Sequence, residues 1–264
     1  MPYRTQLFMQ IRALTLLSAI AFFAVFALHA NAQESSVTKT FLMGKHDYKR
    51  DTSFTRVAAR YADKSVILKK QAYAAYLKMY AAAAKEGVIL NIISATRSFA
   101  EQQSIWERKW ADAQSMRNSD AKNIALTVLR WSSMPGTSRH HWGTDVDLVS
   151  LKKAFYNTPS GKKTYAWLCS NAAKFGFFQP FNAGRTEGYQ EEKWHWSYLP
   201  LAKTYLKEYL RQVTYADIHG FPGSEAAVAL DVIKSQVFAI NPIGKSTEGS
   251  YDVAMNVPNN ARKR

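Results

Sequence analysis

Two histidine-containing segments carry the side chains that a catalytic metal ion would need. The first, Ser138-Arg-His-His-Trp-Gly-Thr-Asp-Val-Asp147, contains His140 and, seven residues later, the carboxylate of Asp147. The second, Glu192-Lys-Trp-His195, has another imidazole three residues after a carboxylate. Two imidazoles and one carboxylate are a common ligand set of catalytic zinc, which keeps its fourth tetrahedral position open for water. A single histidine in a Trp-rich segment is more often a core residue, so the prediction depends on the combination.

The sequence also predicts the elements that position these side chains. Branched aliphatic residues from 88 to 93 indicate a buried strand that leads into Ser94-Ala-Thr-Arg-Ser98, and residues 144–149 alternate as a second strand does. Ser98 and Glu101 form the pattern of a capping box for a helix from Phe99 to about Ala113. Apolar residues recur at helical spacing from Lys70 to Lys85, and Gly87 follows as a stop signal. Further helices are predicted at 55–62, 121–131, 161–174, 200–213 and 225–236, so the fold class is α+β with one domain over residues 33–240.

The composition fits a globular exported protein. The 264 residues are 47% hydrophobic and 13% aromatic, which excludes collagen-like, coiled-coil and polytopic membrane proteins. Residues 1–32 have Arg4 and Arg12, an apolar run from 13 to 28, and Ala30-Asn-Ala32 as a cleavage site, so we interpret them as a signal peptide. A membrane anchor is the alternative, but 16 apolar residues fall short of the ~20 that span a bilayer. Residues 241–264, rich in Gly, Ser, Pro and Asn, are predicted to be a loosely ordered basic tail.

The net charge of +15, or +13 after loss of Arg4 and Arg12, favours anionic partners. No nucleic-acid motif is present and export separates the protein from DNA and RNA, so we expect an anionic cell-wall surface as partner and no nucleic acid. With Cys169 as the single cysteine, no intramolecular disulfide can form, and we predict a buried structural thiol rather than a nucleophile.

The pattern Ser-x-His-x-x-Gly-x-x-x-Asp followed by Glu-x-Trp-His resembles the VanY-type D-alanyl-D-alanine carboxypeptidases, zinc peptidases related to lysostaphin-like enzymes and hedgehog domains. The resemblance extends through residues 94–98 and covers roughly residues 41 to 240. It implies a small antiparallel sheet that carries the zinc site, with flanking helices. It also implies that His140, Asp147 and His195 bind Zn2+, that Glu192 is the catalytic base, that Arg97 faces the substrate, and that Ser138 and Gln102 hold the substrate backbone or its terminal carboxylate.

Several of these roles have a structural alternative. Arg97 could form a salt bridge at a strand end, Ser138 could only shape a turn, and Gln102 could only satisfy a buried carbonyl. Asp145 departs from the family pattern, which often has a small residue there. On a strand, Asp145 would share a face with Asp147, so it could compete as a ligand, orient His140 or help to bind substrate. We assign the ligand role to Asp147 because its spacing from His140 matches the family.

The resemblance implies an exported, periplasmic or cell-wall-associated zinc D,D-carboxypeptidase that trims the terminal D-alanine from peptidoglycan stem peptides. An L,D-carboxypeptidase or a peptidoglycan endopeptidase could use the same zinc centre. A non-catalytic cell-wall binding module is a further alternative, although a degenerate module need not have retained His140, Asp147, Glu192 and His195 together. The oligomeric state does not follow from these patterns.

Overall fold

A four-stranded antiparallel sheet organises the chain, and its strands in spatial order are β3 (Ile92–Ser94), β4 (Asp145–Leu148), β6 (His195–Tyr198) and β5 (Phe177–Phe178). The computed structural model describes residues 37–116 and 120–245, so the predicted signal peptide and residues 246–264 of the predicted tail lie outside the described residues. The strands β1 (Phe54–Arg56) and β2 (Ile67–Lys69) form a separate antiparallel pair. The predicted fold class, α+β with a small antiparallel sheet, is confirmed.

Helices surround the sheet. They are α1 (Lys39–Leu42), α2 (Lys70–Lys85), α3 (Phe99–Met116), α4 (Ala121–Leu129), α5 (Pro159–Asn171), α6 (Leu199–Gln212) and α7 (Ala226–Ala229), together with several short 3-10 turns and a π-helix at Ile233–Phe238. In residues 37–116 and 120–245, no helix has the length and apolar character to cross a membrane.

The two faces of the sheet have different chemistry because side chains alternate along each strand. Val146, Leu148 and Trp196 point into the hydrophobic core, where they join Tyr76 and Met79 of α2. The intervening positions Asp145, Asp147, His195 and Ser197 are polar and nevertheless at most 4% exposed. A strand with polar side chains buried on one face needs partners for them there, and those partners build the candidate site.

Local sequence signals account for the best-predicted helices. Helix α2 spans Lys70–Lys85 as predicted, and Gly87 follows it with a φ of +67°, a conformation that L side chains rarely adopt. At the start of α3, the Ser98 hydroxyl accepts from the Glu101 N–H at 3.2 Å while the Glu101 carboxylate accepts from the Ser98 N–H at 2.7 Å. The predicted capping box is confirmed.

Four local predictions are wrong, and the first is the strand at residues 88–93, of which only residues 92 and 93 belong to β3. Residues 55–62 form β1 and a 3-10 turn at Ala59–Tyr61, because Phe54–Arg56 pairs with Ile67–Lys69. The predicted helix at 225–236 is interrupted near Asp231, whose φ is +47°, and continues as the π-helix. Cys169 is exposed on α5 rather than buried. In addition, residues 241–245, assigned to the tail, include a 3-10 turn at Pro242–Gly244 that is tied to the domain by the bond from the Asn241 N–H to the Pro180 carbonyl, 2.8 Å.

Candidate metal centre and cleft

His140, Asp147 and His195 lie together beside a cleft. One ligand atom from each side chain falls within 4.8 Å of the other two, and all three residues are at most 4% exposed. The β4–β6 register places Asp147 directly opposite His195, so pairing of the two strands brings these two residues together. His140 arrives from a 3-10 turn at Arg139–Trp142 that leads into β4. The structure therefore brings together the three predicted ligands.

Gly143 makes the connection between the 3-10 turn and β4 possible. Its φ is +71°, and a Cβ added there would collide with the Phe54 ring. Steric exclusion therefore explains why the motif has glycine at this position, because any larger residue would displace the turn that carries His140.

Hydrogen bonds fix the orientation of both imidazoles. The Nδ1 of His140 lies 2.7 Å from the Ala95 carbonyl and must donate to it, which leaves Nε2 unprotonated in the neutral ring. The Nε2 of His195 donates to Asp145 at 2.8 Å, and its Nδ1 lies 3.3 Å from Asp147 and 3.3 Å from Glu192. Among the described residues, Nε2 of His140 and Oδ1 of Asp147 are buried without a hydrogen-bond partner. Unsatisfied, buried electron-pair donors that face one another fit a bound cation, and the N, N, O set fits zinc.

The electrostatics agree with a cation site. Burial lowers the pKa of His140, and the Arg97 charge lowers it further. Burial alone would lower the pKa of His195, but the neighbouring carboxylates of Asp145, Asp147 and Glu192 raise it well above its ordinary value. The pKa of Asp147 is well below its ordinary value, because the neighbouring His140 and His195 outweigh the effect of burial. Three carboxylates around one imidazole create a concentration of negative charge that a proton or a metal ion must balance.

Arg97 joins the centre from the segment after β3. Its Nη2 donates to Asp147 at 3.3 Å and its Nη1 donates to Gln102 at 2.8 Å. The side chain of Gln102 is fully buried and uses its amide to donate to the Ser133 carbonyl at 2.8 Å. Both ends of the Gln102 amide are therefore engaged by protein groups, and its contact with the cleft runs through Arg97.

Ser138 and Glu192 both line the cleft. The Ser138 hydroxyl accepts from the His140 N–H at 3.3 Å, so it caps the 3-10 turn. This contact matches the structural role that the sequence offered as the alternative to substrate binding. Glu192 is 8% exposed, and its carboxylate lies beside the three clustered side chains.

The cleft has a volume of about 600 Å³ and is lined by residues that the sequence patterns did not single out. They include the cations Lys64, Arg108 and Lys109 and the aromatic residues Trp131, Phe181 and Tyr189. Burial lowers the pKa of Lys109, whose Nζ donates to the Trp131 carbonyl at 3.3 Å. Helical spacing could have found Lys109, because it lies seven residues after Gln102 on the same face of α3.

His141 and Glu191, which adjoin candidate site residues in sequence, point away from the centre, as expected. His141 is fully buried, with Nδ1 bonded to the Arg97 carbonyl at 2.8 Å and Nε2 accepting from the Gly136 N–H at 3.1 Å; burial lowers its pKa to about 3. Glu191 accepts from the Tyr165 hydroxyl at 3.2 Å. Asp145 bonds to His195 rather than to His140, which sequence reasoning did not anticipate.

Comparison with known proteins identifies the family of this chain. The family model described as "VanY: D-alanyl-D-alanine carboxypeptidase" matches residues 65–201, an interval that contains Arg97 and both histidine segments. The chain belongs to the VanY family. The resemblance in the motifs is thereby confirmed.

Two individual relatives match this chain over about half of their own length. A D-alanyl-D-alanine carboxypeptidase of Enterococcus faecalis is 33% identical over 144 residues, covering 50% of this chain and 51% of the relative. The putative carboxypeptidase YodJ of Bacillus subtilis is 31% identical over 140 residues, covering 50% and 46%. The chain thus spans about half the length of these relatives. Among solved structures, VanYB in complex with D-alanine-D-alanine is 25% identical, and the match covers 63% of this chain and 92% of that one at a TM-score of 0.48.

Proposed function

We propose that this protein is a zinc-dependent D,D-carboxypeptidase that removes the terminal D-alanine from peptidoglycan stem peptides. The observation that carries the proposal is the buried cluster of His140, Asp147 and His195 at the cleft, with Glu192 beside it, in a chain of the VanY family. After loss of the predicted signal peptide, residues 1–32, the protein would act in the periplasm or at the cell wall.

His140, Asp147 and His195 would hold the metal ion. A bound zinc ion supplies Lewis acidity and lowers the pKa of a water molecule toward ~7. The chain's own contribution is to present two oriented imidazole nitrogens and one carboxylate in a pocket that is closed on the side of the sheet. Such preorganisation avoids the cost of assembling ligands when the ion binds.

Glu192 is the proposed general base. Its carboxylate accepts a proton from the attacking water at an Oε atom and then returns that proton to the amine of the departing D-alanine. The position suits this role, since Glu192 lines the cleft and its Oε2 lies 3.3 Å from His195, a proposed ligand.

Arg97 is the proposed electrostatic partner of the reacting carbonyl. Its guanidinium is a planar cation with several N–H donors and lies at the same cleft. A fixed cation lowers the free energy of the negative charge that develops on the carbonyl oxygen. Gln102 holds the guanidinium in place, and we propose that it affects the substrate through Arg97.

The charge of the cleft supports binding of a peptide with a free carboxylate. Lys64, Arg108 and Lys109 give its walls a positive potential, and Ser138 adds a polar group near His140. A carboxylate at the end of the stem peptide is drawn into a cleft of this charge. The +13 charge of the mature protein would further favour residence on the anionic wall, which salt-dependent pelleting with purified sacculi can test, because salt screens such attraction.

Mass spectrometry of muropeptides incubated with residues 33–264 tests the proposal. Loss of one alanine from pentapeptide stems, abolished by a chelator and restored by zinc, is the expected result. Alanine released from tetrapeptides instead would reassign the bond to an L,D-carboxypeptidase, and cleavage within cross-links would make the protein an endopeptidase. An absence of any cleavage with zinc demonstrably bound would contradict the proposal and favour a binding module.

A further inference from the structure

A closed polar cluster lies beneath the proposed metal centre, with Asp145 at its middle. Asp145 is 0% exposed. Its Oδ1 accepts from the Thr144 hydroxyl at 2.6 Å and the Ser197 hydroxyl at 2.7 Å. Its Oδ2 accepts from Arg139 Nε at 3.1 Å and from His195 Nε2 at 2.8 Å.

The rest of the cluster holds Asp145 in place. Arg139 is 3% exposed, and its guanidinium lies 4.7 Å from the centroid of the Trp142 ring. Its Nη2 donates to the Ser197 hydroxyl at 2.9 Å, so Arg139 and Ser197 bind each other as well as Asp145. A buried carboxylate is costly unless it is neutralised and hydrogen-bonded, and this cluster does both.

The number of donors decides what Asp145 can do. A carboxylate has about four lone-pair sites, and four side-chain donors already contact this one. No acceptor site remains for a metal ion or a substrate group, and none of the four donors is His140. The sequence left three roles open for Asp145: metal ligand, partner of His140 and substrate contact. None of these roles agrees with the observed hydrogen bonds.

We propose that Asp145, fixed by Arg139 and Ser197, is a positioning residue for His195. By accepting the hydrogen bond from Nε2, it sets the tautomer and the ring orientation that turn Nδ1 toward Asp147 and Glu192. A carboxylate behind a metal-binding histidine both orients the ring and increases its basicity. The inference rests on the proposed function, since it concerns the metal that His195 would hold.

The test is the zinc affinity of the purified protein, measured by competition with a chromophoric chelator. We expect Asp145→Ala and Asp145→Asn to weaken zinc binding about 10- to 100-fold, as loss of such partners typically does. Asp217→Asn is the matched control, because Asp217 is also a hydrogen-bonded acid but pairs with Lys39 away from the cleft, and its zinc affinity should equal that of the wild type. Circular dichroism of the metal-free proteins confirms that each variant is folded at the temperature of the titration.

A second measurement does not depend on the folding of a variant. In wild-type protein loaded with 113Cd and labelled with 15N-histidine, NMR coupling between the metal and Nδ1 of His195 is expected, and coupling to Nε2 would overturn the inference. Folded Asp145 variants with wild-type zinc affinity would also overturn it while leaving the proposed function intact. A wild-type protein that binds no zinc would instead overturn both.

Discussion

The substitution Glu192→Gln separates the proposed base from the proposed metal site. The backbone at this residue is fixed by the bond from its N–H to the Phe181 carbonyl, 2.9 Å, and by Gln179, which donates to its carbonyl at 3.0 Å. Glutamine has nearly the same shape as glutamate, so neither bond is disturbed. The change removes only the charge and the ability to accept and return a proton.

The expected loss follows from that single change. Removal of a positioned general base typically costs about 10²- to 10⁴-fold in rate. At 1.36 kcal/mol per tenfold, this corresponds to about 3–5 kcal/mol of the activation barrier. Zinc content should stay at the wild-type level, because the clustered ligand atoms belong to His140, Asp147 and His195.

The assay is steady-state release of D-alanine from a stem pentapeptide, with metal content measured on the same samples. Glu191→Gln is the matched control, since this neighbouring carboxylate faces Tyr165 and lines a separate small pocket, and its kcat should be unchanged. A Glu192→Gln protein that contains zinc and keeps more than about a tenth of the wild-type kcat would refute the assignment of the base.

Three further changes test other parts of the structure. Arg97→Lys keeps the charge but cannot reproduce both bonds of the guanidinium to Gln102 and Asp147, so kcat/KM measured on the same peptide should fall by about 10- to 100-fold, and an unchanged value would exclude a role for the planar fork. Chelation should lower the Tm seen by calorimetry, because an ion that binds only the folded state stabilises it, and re-added zinc should restore the Tm. Burial alone would raise the pKa of Asp51, but hydrogen bonds from the Ser53 hydroxyl and N–H hold this pKa well below its ordinary value. The ionised Asp51 therefore stabilises the folded protein above the unfolded-state pKa, and this contribution is lost as the pH falls through the folded-state pKa. Asp51→Asn should therefore lower the Tm at pH 7 and flatten its decline toward pH 3, and a parallel decline in both proteins would contradict this account.

Helices with complete local signals were the predictable part of the fold. For α2, apolar periodicity and a terminating glycine are both contained within 18 residues of sequence, and its predicted and observed bounds agree. The start of α3 is similar, because Ser98 and Glu101 satisfy each other's backbone groups without help from distant residues. Such signals lie within a single helix and its ends, so they can be recognised from the sequence alone.

Elements that depend on distant contacts were not predictable in this way. Phe54–Arg56 is extended because it pairs with β2, a contact that the helical spacing of 55–62 does not reveal. In the segment 225–236, Asp231 adopts a positive φ and hydrogen-bonds to the Tyr215 hydroxyl. Aspartate tolerates this conformation better than most residues, but its sequence neighbours give no sign that the helix stops there.

The candidate site divides along the same line. Residue types suggested a zinc site of two imidazoles and one carboxylate, and the family resemblance singled out His140, Asp147 and His195 as its candidate ligands. The neighbours of these residues depend on the pairing of β4 with β6, which no single segment encodes. Alternation along β4 correctly puts Asp145 on the face of Asp147, but the nearest imidazole in sequence, His140, is not the one it contacts. Antiparallel register places Asp145 opposite Ser197 and diagonal to His195, so the hydrogen bond between His195 and Asp145 crosses between strands. Residue types and the family resemblance can therefore name the candidate ligands of this centre, while the side chains that contact those candidates follow only from the register of the sheet.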